Sequence, residues 1–421
     1  MERLKKLLLS QTIKDTLISF LGLGFAAMVG FIVTVILART LGPEQFGILS
    51  AISALITIVC SMGDLGVASA LINFIPKLKE KRSVLISTSL SLEVLVGVFI
   101  LILFSIFTIF HSSIIPGSLK NQILIAGFLT ANYLFLGFVQ GIFTAERRFW
   151  GYSFSQIIDA GVKIVIIYIL LSISRLSIET ALLANVISTL LTLIIIFGKE
   201  FLKTKLSIDN GIFLKIVTFA KWIAVTRIFS VFISRIDVIL LNLLSSSFQA
   251  GIFAAANRIT LLFSLIVSSL SAVINPRFSG FNNGGMVTSY IKKLIGLISL
   301  ASLLMLISAL FAKPIIDIVF GDKFVSAIPV FQSLTVAMIP FMFSLAVTPA
   351  LIYTFNENRF VAQITAFQVI LMVILEIFLI PKLGAFAPAI ALGLTNIVAT
   401  VLMGIKLFHL LRKDPPRLSI S

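Results

Sequence analysis

Nine ionisable residues stand inside stretches of sequence that are otherwise apolar: Asp64, Glu93, Asp159, Lys163, Arg227, Arg235, Asp237, Arg258 and Glu376. A charge taken out of water is costly unless it is paired or bonded, so each position is a functional candidate by its placement alone. Two chemistries are on offer. An arginine guanidinium presents a planar fork that grips phosphate or carboxylate oxygens at two points. A buried carboxylate exchanges its charge for a proton or a metal cation. The first half of the chain holds Asp64, Glu93 and Asp159 against Lys163. The second holds Arg227, Arg235 and Arg258 against Asp237 and Glu376. This reads as a division of labour, with ion-coupling groups (Asp159, Lys163, Glu93, Asp64) in the first half and anion-binding arginines in the second. Arg258 lies about 15 Å into its apolar stretch at the helical rise of about 1.5 Å per residue, which makes it the leading anion ligand. Asn257 beside it, and Asn73, Asn132 and Asn185 elsewhere, offer amides to neutral hydroxyls.

Plainer readings stand beside these. Asp159 and Lys163 are four apart, the spacing of an intrahelical ion pair. Asp64 lies in Gly63-Asp64-Leu65-Gly66, which suits a helix break or an interhelical bond. Arg227 and Arg235 are close enough to the ends of their span to snorkel towards headgroups, and Glu376 can reach water. Snorkelling is hardest for Arg258.

The elements that must hold these residues follow from composition. The chain has 421 residues, 59% hydrophobic and 12% charged, with a mean hydropathy of +1.14. Soluble domains run near 25% charged, so a soluble enzyme is excluded. One cysteine, Cys60, and two histidines, His111 and His409, allow no disulfide framework and no Cys/His metal cluster. The N-terminal segment lacks a signal-peptide apolar region, so no segment is expected to be removed. A spanning helix needs about 20 mostly apolar residues. Twelve such spans are predicted, near 17–38, 47–72, 84–110, 122–144, 150–173, 178–198, 219–243, 248–274, 292–312, 327–354, 360–380 and 386–408. None shows the ten-residue alternation of a barrel strand.

Lys and Arg number 33 against 17 Asp and Glu, a net charge of +16. With the N-terminus placed in the cytoplasm, 23 of the 33 fall in cytoplasmic segments and six in outer loops. That bias orients the protein in the cell (inner) membrane with both termini cytoplasmic. The basic residues are scattered through loops, which excludes nucleic acid as a partner. The loops are too short for a soluble catalytic domain. No phosphate-binding Gly-Lys-Ser/Thr motif is present, which argues against ATP hydrolysis.

The basic stretch 199–218 divides the chain into residues 1–198 and 219–421, six spans each. The halves echo one another: Gln45/Gly47/Ile48 and Gln249/Gly251/Ile252 open their second helices, and Pro76-Lys77 and Pro276-Arg277 close them. An even number of spans per repeat gives parallel repeats about an axis along the membrane normal. Gly22, Gly24 and Gly30 suit close packing or bending, and Pro340, mid-span, suits a hinge or a fixed kink.

The stretch Leu37 to Lys77 resembles the first repeat of the polysaccharide/oligosaccharide flippase family (Wzx-like polysaccharide transporters). That family belongs to the superfamily of multidrug MATE exporters and the lipid II flippase MurJ. Gln140-Gly141 with Ala145-Glu146-Arg147-Arg148-Phe149 is similar to its turn between spans four and five. Arg235, Asp237, Leu240 and Leu241 leading into Ala250-Gly251-Ile252-Phe253 are similar to its span seven to eight segment. Pro381-Lys382-Leu383-Gly384-Ala385 followed by Pro388-Ala389-Ile390-Ala391 is similar to its last pair of spans. The resemblance covers essentially the whole chain. It implies an all-α polytopic membrane protein, MATE-like, with two six-helix bundles in pseudo-twofold symmetry. It also implies alternating-access transfer of a polyprenyl-pyrophosphate-linked oligosaccharide to the outer leaflet, without enzyme activity or cofactor but with proton or sodium coupling. Membrane lipids, a polysaccharide polymerase and glycosyltransferases are the implied partners. A pyrophosphate needs neutralising cations in the membrane, which gives Arg258, Arg227, Arg235 and Asn257 the substrate role. A MATE-type cation-coupled drug exporter and a lipid II flippase are the alternatives. The arginines argue against the first and the span count against the second.

Overall fold

The computed structural model describes residues 11–110, 115–201, 206–281 and 284–412. Arg3, Lys5, Lys6, Lys203, Lys205, Lys413 and Arg417, which count towards the charge bias, lie outside the described residues, as does His111. Among the described residues there are helices and no strands. Helix α1 (Gln11–Gly63) is two spans divided at Gly42, whose φ of 76° and ψ of 172° are closed to residues with a Cβ. Pro43 follows as the first residue of the next helical segment, where its missing N–H costs nothing. The chain turns at Leu65 and Gly66 and resumes as α2 (Val67–Phe74). Then come α3 (Arg82–Phe110), α4 (Lys120–Ala145), α5 (Phe149–Ser172), α6 (Ile178–Phe201), α7 (Asn210–Leu244), α8 (Ser247–Ser279), α9 (Gly284–Leu310) and the short α10 (Ala312–Val319). Helix α11 (Ala327–Pro349) widens into a π turn at Ala350–Thr354, followed by α12 (Asn358–Leu383) and α13 (Ala387–Arg412).

Nine continuous helical runs among the described residues are long and apolar enough to cross a membrane. Two of them, Ile18–Gly63 and Asn358–Arg412, each hold two of the expected spans. Helix α7 is not among the nine: it carries Lys215, Lys221, Arg227, Arg235 and Asp237, yet it has a spanning length. All twelve expected spans therefore fall on helices, and the protein is an all-α, multi-pass membrane protein.

The burial pattern is that of a chain solvated by lipid. Leu310 is 80% exposed and Ile194 71%, while Thr130, Ser188, Thr189 and Thr192 are fully buried. Large apolar side chains face outward, and small hydroxyl residues allow close helix approach inside.

The chain divides into two compact units, Met1–Ile239 and Leu240–Ser421, with the boundary inside α7 and beyond the 199–218 stretch. In the first unit α1 packs on α5, and α4 packs on both α3 and α6. One core gathers Ile52, Phe104 and Ile167; another gathers Leu71, Leu85, Phe138 and Ile142. In the second unit α11 is central and touches α8, α9 and α13, over a core of Ile274, Phe278, Ile298 and Met342. Pro340 removes a backbone donor from the middle of α11. Helix α13 braces that point: Asn396 Nδ2 donates to the Ala337 carbonyl and Thr400 Oγ1 to the Pro340 carbonyl, each at 3.1 Å. Of the span-one glycines, Gly22 is a contact point, since a Cβ there would come within 2.5 Å of Ser153, whereas Gly24 and Gly30 face open space.

Gly42→Ala forces a Cβ into a region reserved for glycine and should cost about 1–3 kcal/mol. Thermal unfolding in detergent checks this: Gly42→Ala is expected to lower the melting temperature, while Gly24→Ala leaves it unchanged or raises it.

Candidate functional site

The first unit contains a cavity of about 480 Å³ whose wall includes Asp64, Arg227, Cys60, Tyr133, Gln140 and Tyr152. Its construction starts at the break after α1. Leu65 has φ 44° and Gly66 φ 77°, so the helix cannot continue through them. The Asp64 carbonyl accepts from Val67 N at 2.7 Å, and its carboxylate Oδ1 accepts from Ala68 N at 3.3 Å. Asp64 thereby holds the start of α2. Gly66 also lies against α7, where an added Cβ would meet Ala220 Cβ at 2.9 Å and the Ala220 carbonyl at 3.0 Å. Seven residues, about 10 Å along α7, separate Ala220 from Arg227. At that point Arg227 Nη1 reaches Asp64 Oδ2 at 2.7 Å. The Asp64 side chain is 10% exposed and the Arg227 side chain 48%. The carboxylate is thus fixed in the wall while the guanidinium keeps an open flank.

A second polar group lies on the same unit. Asp159 on α5 accepts from Lys163 Nζ at 3.1 Å through Oδ2. Its Oδ1 accepts from Ser188 Oγ at 2.9 Å and Thr189 Oγ1 at 3.2 Å, both on α6. The i,i+4 pair expected from spacing is present, and two hydroxyls from a neighbouring helix complete it. Lys163 also lies within hydrogen-bonding reach of the Tyr133 hydroxyl, which donates to Asn185 Oδ1 at 3.2 Å. Tyr133 lines the Asp64 cavity, so it connects the two groups. On the same wall, Gln140 Nε2 donates to Ser155 Oγ at 3.0 Å. Glu93 on α3 is 1% exposed, near enough to Asp64 for their charges to interact, and neither carboxylate oxygen meets a hydrogen-bond partner among the described residues.

The structure therefore gathers Asp64, Arg227 and Glu93 in one region and Asp159 with Lys163 beside it. Arg235, two turns beyond Arg227 on α7, is half-buried, as is Asn257; Arg258 is exposed on the second unit. None of these three lines either cavity described in this protein. Asn73 accepts from Lys77, a local contact on an exposed turn. Tyr133, Tyr152, Ser188 and Thr189 escape a search for charges; their one sequence signal is a hydroxyl in an apolar span. Among the described residues no three His, Cys, Asp or Glu side chains are grouped to hold a metal ion.

The pattern of a family described as "Polysaccharide biosynthesis protein" matches residues 12–282. A "Putative O-antigen transporter" of Shigella flexneri is 24% identical over 414 residues, covering 92% of this chain and 93% of that protein. An inward-facing multidrug resistance MATE family transporter of the MOP superfamily superposes with a TM-score of 0.72 at 17% identity, covering 94% of this chain and 99% of the other. Lipid II flippase MurJ, inward closed, gives a TM-score of 0.72 at 16% identity over 93% of this chain and 87% of that one. These two structures establish the fold as MATE-like.

Removing Lys163 leaves Asp159 charged and short of a partner. Breaking a fully buried pair from one side costs about 3–5 kcal/mol, and less is expected here, where the side chains are 16% and 14% exposed and Ser188 and Thr189 stay on Asp159. Lys163→Met is therefore expected to destabilise the protein, and adding Asp159→Asn should recover part of the loss. Chemical unfolding in mixed micelles measures both; equal stability of the single and double variants would show that an unpaired Asp159 charge carries no penalty.

Proposed function

This chain belongs to the polysaccharide biosynthesis protein family, and on that premise we propose that it flips a polyprenyl-pyrophosphate-linked oligosaccharide from the cytoplasmic to the outer leaflet by alternating access. It is a multi-pass membrane transporter and not an enzyme. In this reading it sits in the inner membrane with both termini cytoplasmic, its spans sorted six and six on either side of residues 199–218. Glycosyltransferases supply the lipid-linked glycan and a polymerase consumes it.

The observation that carries the reading is the Arg227–Asp64 pair on a cavity wall within a predominantly apolar helix unit. A pyrophosphate cannot cross hydrocarbon with its charge unmet. Asp64 competes with it for the Arg227 guanidinium, and that competition weakens when Asp64 loses its charge to a proton or a sodium ion. Binding of the coupling ion at Asp64 and of the anion at Arg227 then become two halves of one exchange. Glu93, behind Asp64, is a second place for that ion. Asp159 with Lys163 holds the adjoining helices and communicates with the cavity through Tyr133. Arg258, with Asn257 beside it, and Arg235 are further ligands for the anionic head.

A vesicle assay following a fluorescent polyprenyl-pyrophosphate-linked oligosaccharide tests this. Arg227→Ala is expected to slow flipping about tenfold to a hundredfold, the worth of one hydrogen bond to a charged group. Asp64→Asn is expected to keep flipping but lose its dependence on a proton or sodium gradient. Wild-type rates in Arg227→Ala would remove the anion role, and unchanged gradient dependence in Asp64→Asn would remove the coupling role.

A further inference from the structure

The second unit encloses a cavity of its own, of about 280 Å³, walled by α8, α11, α12 and α13. It differs in kind from the Asp64 cavity: no Asp, Glu, Lys, Arg or His lines it. Its polar wall is built from amides and hydroxyls. Gln368 Nε2 donates to Asn396 Oδ1 at 2.7 Å, and Asn396 in turn is anchored on the Ala337 carbonyl. One N–H of the Gln368 amide is thus committed, and its second N–H and its carbonyl oxygen are what it can still present. Ser271, Ser344 and Thr365 each donate to a carbonyl of their own helix, at 2.8, 2.7 and 2.9 Å. A hydroxyl that has spent its one proton offers only lone pairs.

The wall is therefore uncharged, with hydroxyl lone pairs in excess and a few amide and phenol donors beside them, and its occupant has to be able both to donate and to accept. An organic cation would bring donors, but no carboxylate is present to neutralise it out of water. An anion would find no cation. A neutral ring bearing several hydroxyls meets both requirements. Phe341 and Tyr353 add aromatic surface for the apolar face of such a ring. Tyr353 reaches the cavity from the π turn after α11, a distortion that recurs at functional sites. The volume sits just under the range of ordinary small-molecule pockets, room for one ring rather than a chain of them. Gln368 lies about 15 Å into α12 and meets Asn396 of α13 in the wall. Asn275 and Tyr353 place one end of the cavity near Arg277, Arg359 and the Lys406–Glu357 ion pair, the cytoplasmic end by charge bias.

We infer that this cavity is a sugar site, taking one uncharged, hydroxyl-bearing ring of the transported glycan from the cytoplasmic side. The inference rests on the proposed transport of a lipid-linked oligosaccharide and assigns the glycan a recognition site separate from the charges of the first unit. The full chain in nanodiscs, titrated with glucose, galactose and N-acetylglucosamine and read by saturation-transfer NMR, tests it. At least one of the three is expected to bind. Gln368→Leu and, independently, Ser344→Val should each weaken that binding at least about fivefold, while Leu310→Val on the outer face leaves it unchanged. Melting temperatures report whether each variant is folded, and Ser344→Val does not touch the Gln368–Asn396–Ala337 chain. No binding by any of the three sugars, or undiminished binding in both variants, overturns the site. Flipping separates this failure from that of the parent reading. Wild-type vesicles that flip no lipid-linked oligosaccharide overturn the transport reading and the glycan assignment with it. Normal wild-type flipping with unaltered sugar binding in both variants overturns the sugar site alone.

Discussion

Hydrocarbon supplies neither water nor counter-ions, so every charge and every freed backbone group inside a bilayer has to be matched by the chain itself. The Asp64–Arg227 pair shows how far that constraint reaches. A helix that stops in mid-membrane frees backbone N–H groups, and the Asp64 carboxylate takes one of them, from Ala68. That places a charge at the break, and the charge needs a cation. The cation comes from α7, which can approach because Gly66 has no side chain to hold Ala220 away. The left-handed turn at Gly66, the close passage of α7 and the position of Arg227 together satisfy one carboxylate. The cavity forms around it because a broken helix leaves a gap that its neighbours do not fill.

How much of this was legible in the sequence depends on the range of each interaction. Spans are read from hydropathy summed over about 20 residues, a strong signal, and all twelve lie on helices. The pair of Asp159 and Lys163 is local, set by helical geometry alone, and it is present as spaced. Ser188 and Thr189, which complete it, come from another helix and carry no signal of their own. The partner of Asp64 was not legible. Gly63-Asp64-Leu65-Gly66 announces a break or an interhelical bond, and both are found, but Arg227 is 163 residues away. Sorting arginines and carboxylates by halves of the chain set these two in different roles, whereas packing sets them in contact. Sequence order says nothing of which helices touch.

The cavity of the second unit was less legible still. Amides and hydroxyls are neither apolar enough to mark a span nor charged enough to stand out within one. Asn396, Gln368, Ser344 and Thr365 lie on three helices and become a wall only when α11, α12 and α13 pack. Pro340 was readable as a hinge or a fixed kink. Its neighbours bear on that choice, because Asn396 and Thr400 bond the carbonyls beside it. Moving that segment would first break those bonds.

The two kinds of wall also answer a requirement that a carrier faces and a mere binder does not, which is release. A bond between a guanidinium and a phosphate is strong because both partners are charged, at about 1.5–3 kcal/mol. It needs a competitor to undo it, and Asp64 is a carboxylate already in contact with Arg227, which the proposed mechanism makes effective or ineffective by a single ion. Neutral hydroxyl acceptors need no such device. Each contributes only about 0.5–1.5 kcal/mol net, so a ring held by several of them is selected by its pattern of hydroxyls and still leaves on its own. In the proposed mechanism coupling chemistry therefore belongs where the charges are, and recognition of the glycan belongs where they are absent.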